Sequence, residues 1–315
     1  MGHGLADNWR TLLDFALQSS GTYEDVLAAA RLAEQRSLAA FALPDHYLLS
    51  MDEEKARTTP APDAFAQMAG LARETSSIEL VVLVSPITFR HPAVLAKSAV
   101  TIDRMSGGRF SLGLGTGWMD REHEVFGFDY PPRGERFAML EEALGYISAA
   151  LADEPTGFDG EYYHLEPFPL SPRPVGRVNL IVGGTGPHKT PYLAGTYADE
   201  FNVYPGDDLE ARIDRSRAAA EQAGRDPEAL LLSSAGLVVA AATEKGVEEA
   251  LDRRATEAGM TREELSEHFA KRHTPVGTYA ALGEQFDDMS KLGISRFYIQ
   301  GDPEEAGALI DALTG

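Results

Sequence analysis

Short apolar runs alternate along the chain with longer stretches in which apolar residues recur at three- and four-residue spacing. The runs predict eight strands, over Thr11–Leu17, Leu38–Leu43, Ile78–Ser85, Arg109–Leu114, Val178–Val182, Glu200–Tyr204, Leu230–Ala241 and Ile294–Gln300. The periodic stretches predict helices. Tyr23–Gln35 carries Val26, Leu27, Ala30 and Ala33 on one face. Ala64–Glu74, His91–Met105, Gly134–Ala152, Lys189–Thr196, Asp208–Ala223 and Pro303–Leu313 also read as helices. Leu80-Val-Val-Leu-Val84 and Leu237-Val-Val-Ala-Ala241 show no polar alternation. Continuous apolar strands are buried on both faces, as in parallel sheets. Eight such strands alternating with helices predict an α/β fold, a closed (β/α)8 TIM barrel forming one domain over residues 1–315.

Two stretches interrupt that rhythm. Residues 155–177 hold prolines at 155, 167, 169, 172 and 174, and predict a small hairpin followed by an extended arm. Residues 243–293 are long, charged and helical, with room for two or three extra helices. A long insertion over the rim of a barrel acts as a lid or a substrate wall. Within it, Asp252-Arg-Arg254 and Glu263-Glu264 read as a wetted helical face, whereas Val238 to Ala242 reads as core.

Composition narrows the class. The chain carries 28 basic and 49 acidic residues, a net charge of −21. That balance argues against a nucleic-acid partner or an anionic membrane surface. Cysteine is absent, which excludes disulfides, thiolate catalysis and Cys-ligated metal. No apolar run approaches the roughly 18 residues of a membrane span. A cytoplasmic globular protein acting on a small molecule is expected.

In a parallel barrel the functional groups follow the C-terminal ends of the strands. Asp45-His46 lies at one such end and is the leading acid–base pair, with the neighbouring carboxylate free to orient the imidazole or to bind ligand. Arg109-Phe-Ser-Leu-Gly-Leu-Gly-Thr-Gly-Trp118 runs a strand into a glycine-rich turn. Its glycines clear space for a flat group or for close strand packing. Its spacing is not the dinucleotide fingerprint. Trp118 is placed to stack on a planar ligand or to pack. Gly183-Gly-Thr-Gly186 opens a helix and suits a phosphate, with Lys189 adding charge. It is no Walker A loop, because His188 precedes that lysine. Glu122-His123-Glu124 reads as a solvated helix start without a third metal ligand, so no metal is assigned. His164, His268 and His273 fall in the insertions and receive no role.

Larger motifs carry a resemblance. Arg90-His-Pro-Ala-Val-Leu-Ala-Lys97, Thr101-Ile-Asp-Arg-Met-Ser-Gly-Gly-Arg109 and Leu112-Gly-Leu-Gly-Thr-Gly117 closely resemble the bacterial luciferase-like superfamily. So do Pro44-Asp45-His46, Pro132-Arg-Gly-Glu-Arg-Phe137 and Val182-Gly-Gly-Thr-Gly186. The resemblance implies a barrel that holds a flavin or the deazaflavin coenzyme F420 at its mouth. It implies a bulge with a non-prolyl cis peptide near Leu83-Val84-Ser85, behind the ring, so Val84 and Ser85 join the cofactor set. Gly183, Gly184, Thr185 and Gly186 would hold part of the cofactor tail. Asp45-His46, with Thr116 and Gly117, is similar to the deazaflavin branch, where the aspartate contacts the ring and the histidine is the acid–base group. Trp118 stands where some deazaflavin-dependent sugar-phosphate dehydrogenases carry glutamate, which points away from that substrate. The resemblance therefore implies hydride transfer between F420 and an organic substrate, with His46 and Trp118 as the catalytic pair. The alternative is an FMN-dependent monooxygenase fed by a separate flavin reductase. A homodimer is expected from the same resemblance.

Overall fold

The computed structural model describes residues 13–314. Eight parallel strands close into a barrel: β1 (Asp14–Gln18), β2 (Ala40–Leu43), β3 (Glu79–Pro86), β4 (Phe110–Gly115), β5 (Asn179–Gly184), β6 (Glu200–Val203), β7 (Leu231–Leu237) and β8 (Arg296–Gln300). Each strand pairs with its neighbour in the chain-ordered ring, and β8 closes on β1 with Gln18 opposite Gln300. The TIM barrel expected from the alternation is therefore present. The helices are α1 (Tyr23–Gln35), α2 (Glu53–Thr58), α3 (Ala64–Glu74), α4 (Pro92–Ser106), α5 (Asp120–Phe126), α6 (Arg133–Leu151), α7 (Lys189–Tyr197), α8 (Leu209–Gln222), α9 (Glu244–Ala258), α10 (Arg262–Lys271), α11 (Tyr279–Lys291) and α12 (Pro303–Thr314). Local chemistry sets several boundaries. Thr22 and Asp25 form a capping box at the start of α1, and Gly107 ends α4 in the left-handed region, at φ 74°.

The strands are apolar on both faces because both faces are covered. Outward side chains such as Phe15, Phe41, Leu80, Leu112, Phe201 and Phe297 pack under the helices in the main core. Inward ones are smaller: Ala16, Ala40, Ala42, Val81, Ile181 and Ala235 share the barrel interior with Tyr298. A bonded network spans the lower, N-terminal end. Arg296 pairs with Glu79 at 3.0 Å and Glu200 at 3.1 Å, and donates to the Tyr298 hydroxyl at 3.1 Å. Ser233 donates to Glu200 at 2.6 Å. Burial pushes the Glu200 carboxyl above its usual range, and Arg296 opposes that shift.

Four expectations are corrected. The run predicted as one strand over 230–241 is two: Leu231–Leu237 stays in the barrel, while Val239–Ala241 leaves it and pairs in parallel with Val276–Thr278. Val238 and Val239 are buried, but Ala240 and Ala241 are only half-buried, because the chain turns out of the barrel there. The stretch 243–293 is not all insertion either. Its helix α11 belongs to the barrel's outer layer, with Phe286 edge-on to Phe15 at 5.2 Å and to Phe297 at 5.1 Å. The first predicted strand begins at 14, and Thr11 lies outside the described residues.

The hairpin expected near 158–165 is present, with Phe158–Asp159 antiparallel to His164–Leu165. The remaining insertion, α9 and α10 with their small sheet, packs on its own core of Val239, Ala250, Ala255, Leu265 and Phe269. It sits over the C-terminal rim. Lys55 Nζ donates to the Glu257 carbonyl at 3.3 Å, Arg253 and Arg254 both pair with Glu305 at 2.6 Å, and His273 lies 3.2 Å from Asp207. Arg253 and Arg254 of the charged run thus clamp onto α12, while Asp252 binds Arg262 within the insertion, so the run is not merely a wetted face. Among the described residues, no helix is long and apolar enough to cross a membrane.

Candidate active site

Because the strands are parallel, the loops after β2, β3, β4 and β5 open on one rim, and that rim gathers the candidates. Asp45 follows β2 and is only 1% exposed. Its carboxylate accepts from Ser85 Oγ at 2.6 Å and pairs with Arg90. Arg90 also pairs with Asp63, the N-cap of α3, and donates to the Tyr47 hydroxyl at 2.8 Å. Burial raises the Asp45 pKa, while Arg90 and Ser85 oppose it. The Tyr47 phenol is pushed up to about 12, chiefly by burial.

His46 is held differently. Its Nδ1 lies 2.9 Å from Oε2 of Glu122, which is 1% exposed. The other carboxylate oxygen accepts the Tyr47 and Leu48 backbone N–H groups at 2.6 Å and 3.0 Å. A carboxylate only accepts, so Nδ1 carries the hydrogen and Nε2 is left for a ligand. The indole of Trp118 meets the imidazole edge-on, centroids 5.6 Å apart, and stays 65% exposed.

Two readings change here. Asp45 does not orient His46; Glu122 does. And Glu122-His123-Glu124 is not a solvated helix start. Helix α5 turns Glu122 and His123 inward, and only Glu124 faces solvent. His123 bonds Thr88 at 2.7 Å and the Met119 carbonyl at 2.9 Å. Among the described residues, no group of three or more His, Asp or Glu side chains is arranged to hold a metal.

The β3 bulge lies where the resemblance placed it. The Leu83–Val84 peptide is cis, and the β3–β4 register shifts between Val82 and Ser85. The glycines opposite it have a definite purpose. A Cβ on Gly113, Gly115 or Gly183 would lie 2.9 Å from a Val84 methyl carbon. Gly113 and Gly115 therefore clear space for Val84 rather than for a flat ligand, and Val84 becomes the apolar shelf of the mouth. Gly117 turns the chain at φ 74°, and Arg136 donates to the Thr116 carbonyl at 3.0 Å and to the Gly117 carbonyl, fixing that loop.

Gly183 to Gly186 end β5 and lead to α7, whose N-terminus has no side-chain cap. Cations surround it. A Cβ on Gly186 would lie 3.6 Å from Arg133 Nη2. Lys189 and Arg133 both lie over the Phe137 ring, and Arg215 donates to the Pro187 carbonyl at 2.8 Å. None of the three has a carboxylate partner within ion-pair distance among the described residues. An apolar shelf beside an uncapped helix start and three uncompensated cations fits a ring cofactor with an anionic tail. Asp45, Val84, Ser85, Thr116, Gly117, Gly183, Gly184, Thr185 and Gly186 all lie on this rim. Sequence reasoning missed Glu122 and Arg90 as site residues. Arg90 begins the Arg90–Lys97 motif, at the end of a strand–loop segment, and that position is its signal in the sequence.

Comparison with known proteins places these features in context. The family model for luciferase-like monooxygenases matches residues 11–315. A pyrimidine monooxygenase RutA from Allorhizobium ampelinum is 28% identical over 271 residues, 80% of this chain and 70% of that protein. An F420-dependent glucose-6-phosphate dehydrogenase from Kribbella flavida is 29% identical over 316 residues, 92% of each. Another of that name, from Amycolatopsis mediterranei, is 31% identical over 199 residues, and the match spans 58% of its length. The fold is shared with an F420-dependent secondary alcohol dehydrogenase bearing an F420–acetone adduct, at a TM-score of 0.76 and 20% identity, covering 96% of this chain and 99% of that one. It is shared too with the EDTA monooxygenase EmoA of Chelativorans, at a TM-score of 0.79 and 16% identity, covering 96% and 92%. The match along almost the whole length, on a barrel with this bulge and rim, identifies the chain as a member of the luciferase-like monooxygenase family.

Proposed function

We propose that this protein is an oxidoreductase that transfers hydride between coenzyme F420 and a small organic substrate. The observation that supports the reading is the anchoring of His46 at the rim: Glu122 holds Nδ1, which leaves Nε2 for a substrate. The three cations near Gly186 add support. F420 carries a phosphodiester that continues into further carboxylates, so an extended anionic tail has more to gain from Arg133, Lys189 and Arg215 than a short one.

The deazaflavin, when bound, supplies the hydride acceptor or donor. The chain's own residues do the rest. Val84 would support the ring, and Asp45, fixed by Arg90 and Ser85, would shape the pocket beside it. His46 gives or takes the proton at the substrate oxygen through Nε2. The Glu122 carboxylate stabilises the imidazolium formed at that moment. Trp118 walls the substrate and excludes water. Its indole offers no charge or hydroxyl for a sugar phosphate, which favours a flatter or more apolar substrate.

A second reading is an FMN-dependent monooxygenase that receives reduced flavin from a reductase. The similarity to RutA over 80% of the chain favours it. Titration of the purified protein with F420 and with FMN separates the two. At least tenfold tighter binding of F420, followed by anaerobic hydride exchange, is the expected result. Equal or reversed preference, with oxygen uptake on reduced FMN, would overturn it.

A further inference from the structure

Beneath the acid–base pair, a line of polar side chains crosses the barrel mouth. Gln18 ends β1 and is buried. Its Nε2 donates to the Leu83 carbonyl at 2.5 Å, and its Oε1 accepts from Gln300 Nε2 at 2.6 Å. Gln300 ends β8, opposite Gln18 in the register. Its side chain also reaches the phenol of Tyr204, just past β6, where it opposes the rise that burial gives that pKa. Tyr204 and Val84 both pack on the apolar cluster inside the barrel. One connected line therefore ties β6, β8, β1 and β3 together.

The line has a fixed polarity. A backbone carbonyl only accepts. Gln18 must turn its NH2 group to Leu83 and its oxygen to Gln300, and Gln300 must turn its NH2 group to Gln18. Both amide orientations thus follow from one backbone atom, the carbonyl of the residue that precedes Val84. Nothing in the acid–base apparatus uses these side chains. Burying an amide such as Gln18 costs desolvation and rotamer entropy, which its two hydrogen bonds offset.

We propose that Gln18, Gln300 and Tyr204 form a positioning relay that couples the Val84 shelf to the opposite wall of the mouth. Gln18 and Gln300 set where the shelf stands. Tyr204 is the relay's far end, and its loop continues to Asp207, which meets His273 of the insertion at 3.2 Å. The relay thereby registers the roof's position against the surface on which a ring cofactor would lie. This inference rests on the proposed cofactor reading of the mouth.

The first test needs no cofactor. The side-chain amide resonances of Gln18 and Gln300 are assigned by substitution in the 15N-labelled protein. In Tyr204→Phe, the Gln18 amide is expected to shift, although no hydrogen bond joins Tyr204 to Gln18 directly. An unmoved Gln18 amide would overturn the relay. The second test uses whichever chromophore, F420 or FMN, the wild type binds. Gln18→Leu should shift the bound absorption maximum and weaken binding about tenfold. Adding Tyr204→Phe to it should weaken binding no further, whereas independent, multiplying losses would refute the coupling. If Gln18→Leu does not fold, Gln300→Leu carries the same test from the middle of the line. If the wild type binds neither chromophore, the cofactor reading fails, and the amide shift alone decides the relay.

Discussion

His46 and Glu122 are 76 residues apart in the chain, and a 2.9 Å hydrogen bond joins them in the barrel mouth. The same carboxylate holds the two peptide N–H groups that follow His46. The histidine and its own backbone are therefore fixed by one buried group, which sets both the ring's tautomer and its direction.

Glu122→Gln tests that arrangement. Its one amide oxygen can keep the two backbone N–H groups, but the NH2 then faces Nδ1, so it neither holds that tautomer nor stabilises an imidazolium by charge. General acid–base catalysis contributes roughly 10²–10⁴-fold, and we expect the variant to lose about 10–100-fold in kcat. Cofactor affinity should change by less than about twofold, because Glu122 lies behind the histidine. Steady-state kinetics across pH would check this, and an unaltered kcat and pH profile would refute the role.

Arg90→Met leaves Asp45 buried beside Ser85 without its cation. Breaking a buried pair on one side costs about 3–5 kcal/mol, read as a lower midpoint in denaturant. The pH dependence has a definite sign. Burial already raises the Asp45 pKa in the folded state, and loss of Arg90 raises it further. A raised folded pKa means that the folded protein binds the proton more tightly than the unfolded chain does. That contribution is full below the ordinary aspartate value of about 3.9 and is lost as pH rises through the raised one. The variant should therefore lose stability relative to wild type on going from acid toward neutral pH. A difference that stays flat with pH would contradict it.

Gly115→Ala should destabilise by about 1–3 kcal/mol through its clash with Val84. In a Val84→Ala background the cost should shrink, since that methyl carbon is the main obstacle at 2.9 Å. Gly113→Ala should not be rescued in the same way, because its Cβ would also lie 2.3 Å from the Val82 carbonyl oxygen. Thermal melts of the two double variants distinguish the cases.

Trp118→Ala should barely touch stability, since the side chain is 65% exposed; a change in Tm of about 1–2 °C is expected. Its effect should fall on substrate KM, raised about tenfold. Equal KM for wild type and variant would remove Trp118 from the substrate wall.

Much of the molecule was legible in the residue pattern. Strands such as Leu80–Val82 read plainly as buried because the helices outside and the small interior residues inside make the same demand on their composition. The 230–241 run misled because Leu237 to Ala241 stays apolar while the backbone changes sheets. Helix α11 hid inside an insertion for a related reason: Phe286 looks no different, locally, from an apolar residue in a lid. At the site, Asp45 and His46 stood out because they follow a strand directly. Glu122 did not. A carboxylate set among Asp120, Arg121 and Glu124 looks exposed in one dimension, and only the turn of α5 brings it to His46. The glycines of β4 are plain in the sequence, but the methyl groups they accommodate belong to another strand, and pairing across strands is a tertiary fact.

The lower end of the barrel is crossed by Arg296 and its two glutamates. Among the described residues that end is taken up by bonded charge, so the proposed ligands would use the other. Whatever rested against Val84 would then be covered by whatever entered after it. Under the proposed chemistry, this dictates a queue: the redox partner is first in and last out, and each round of turnover must clear the doorway before the next one begins.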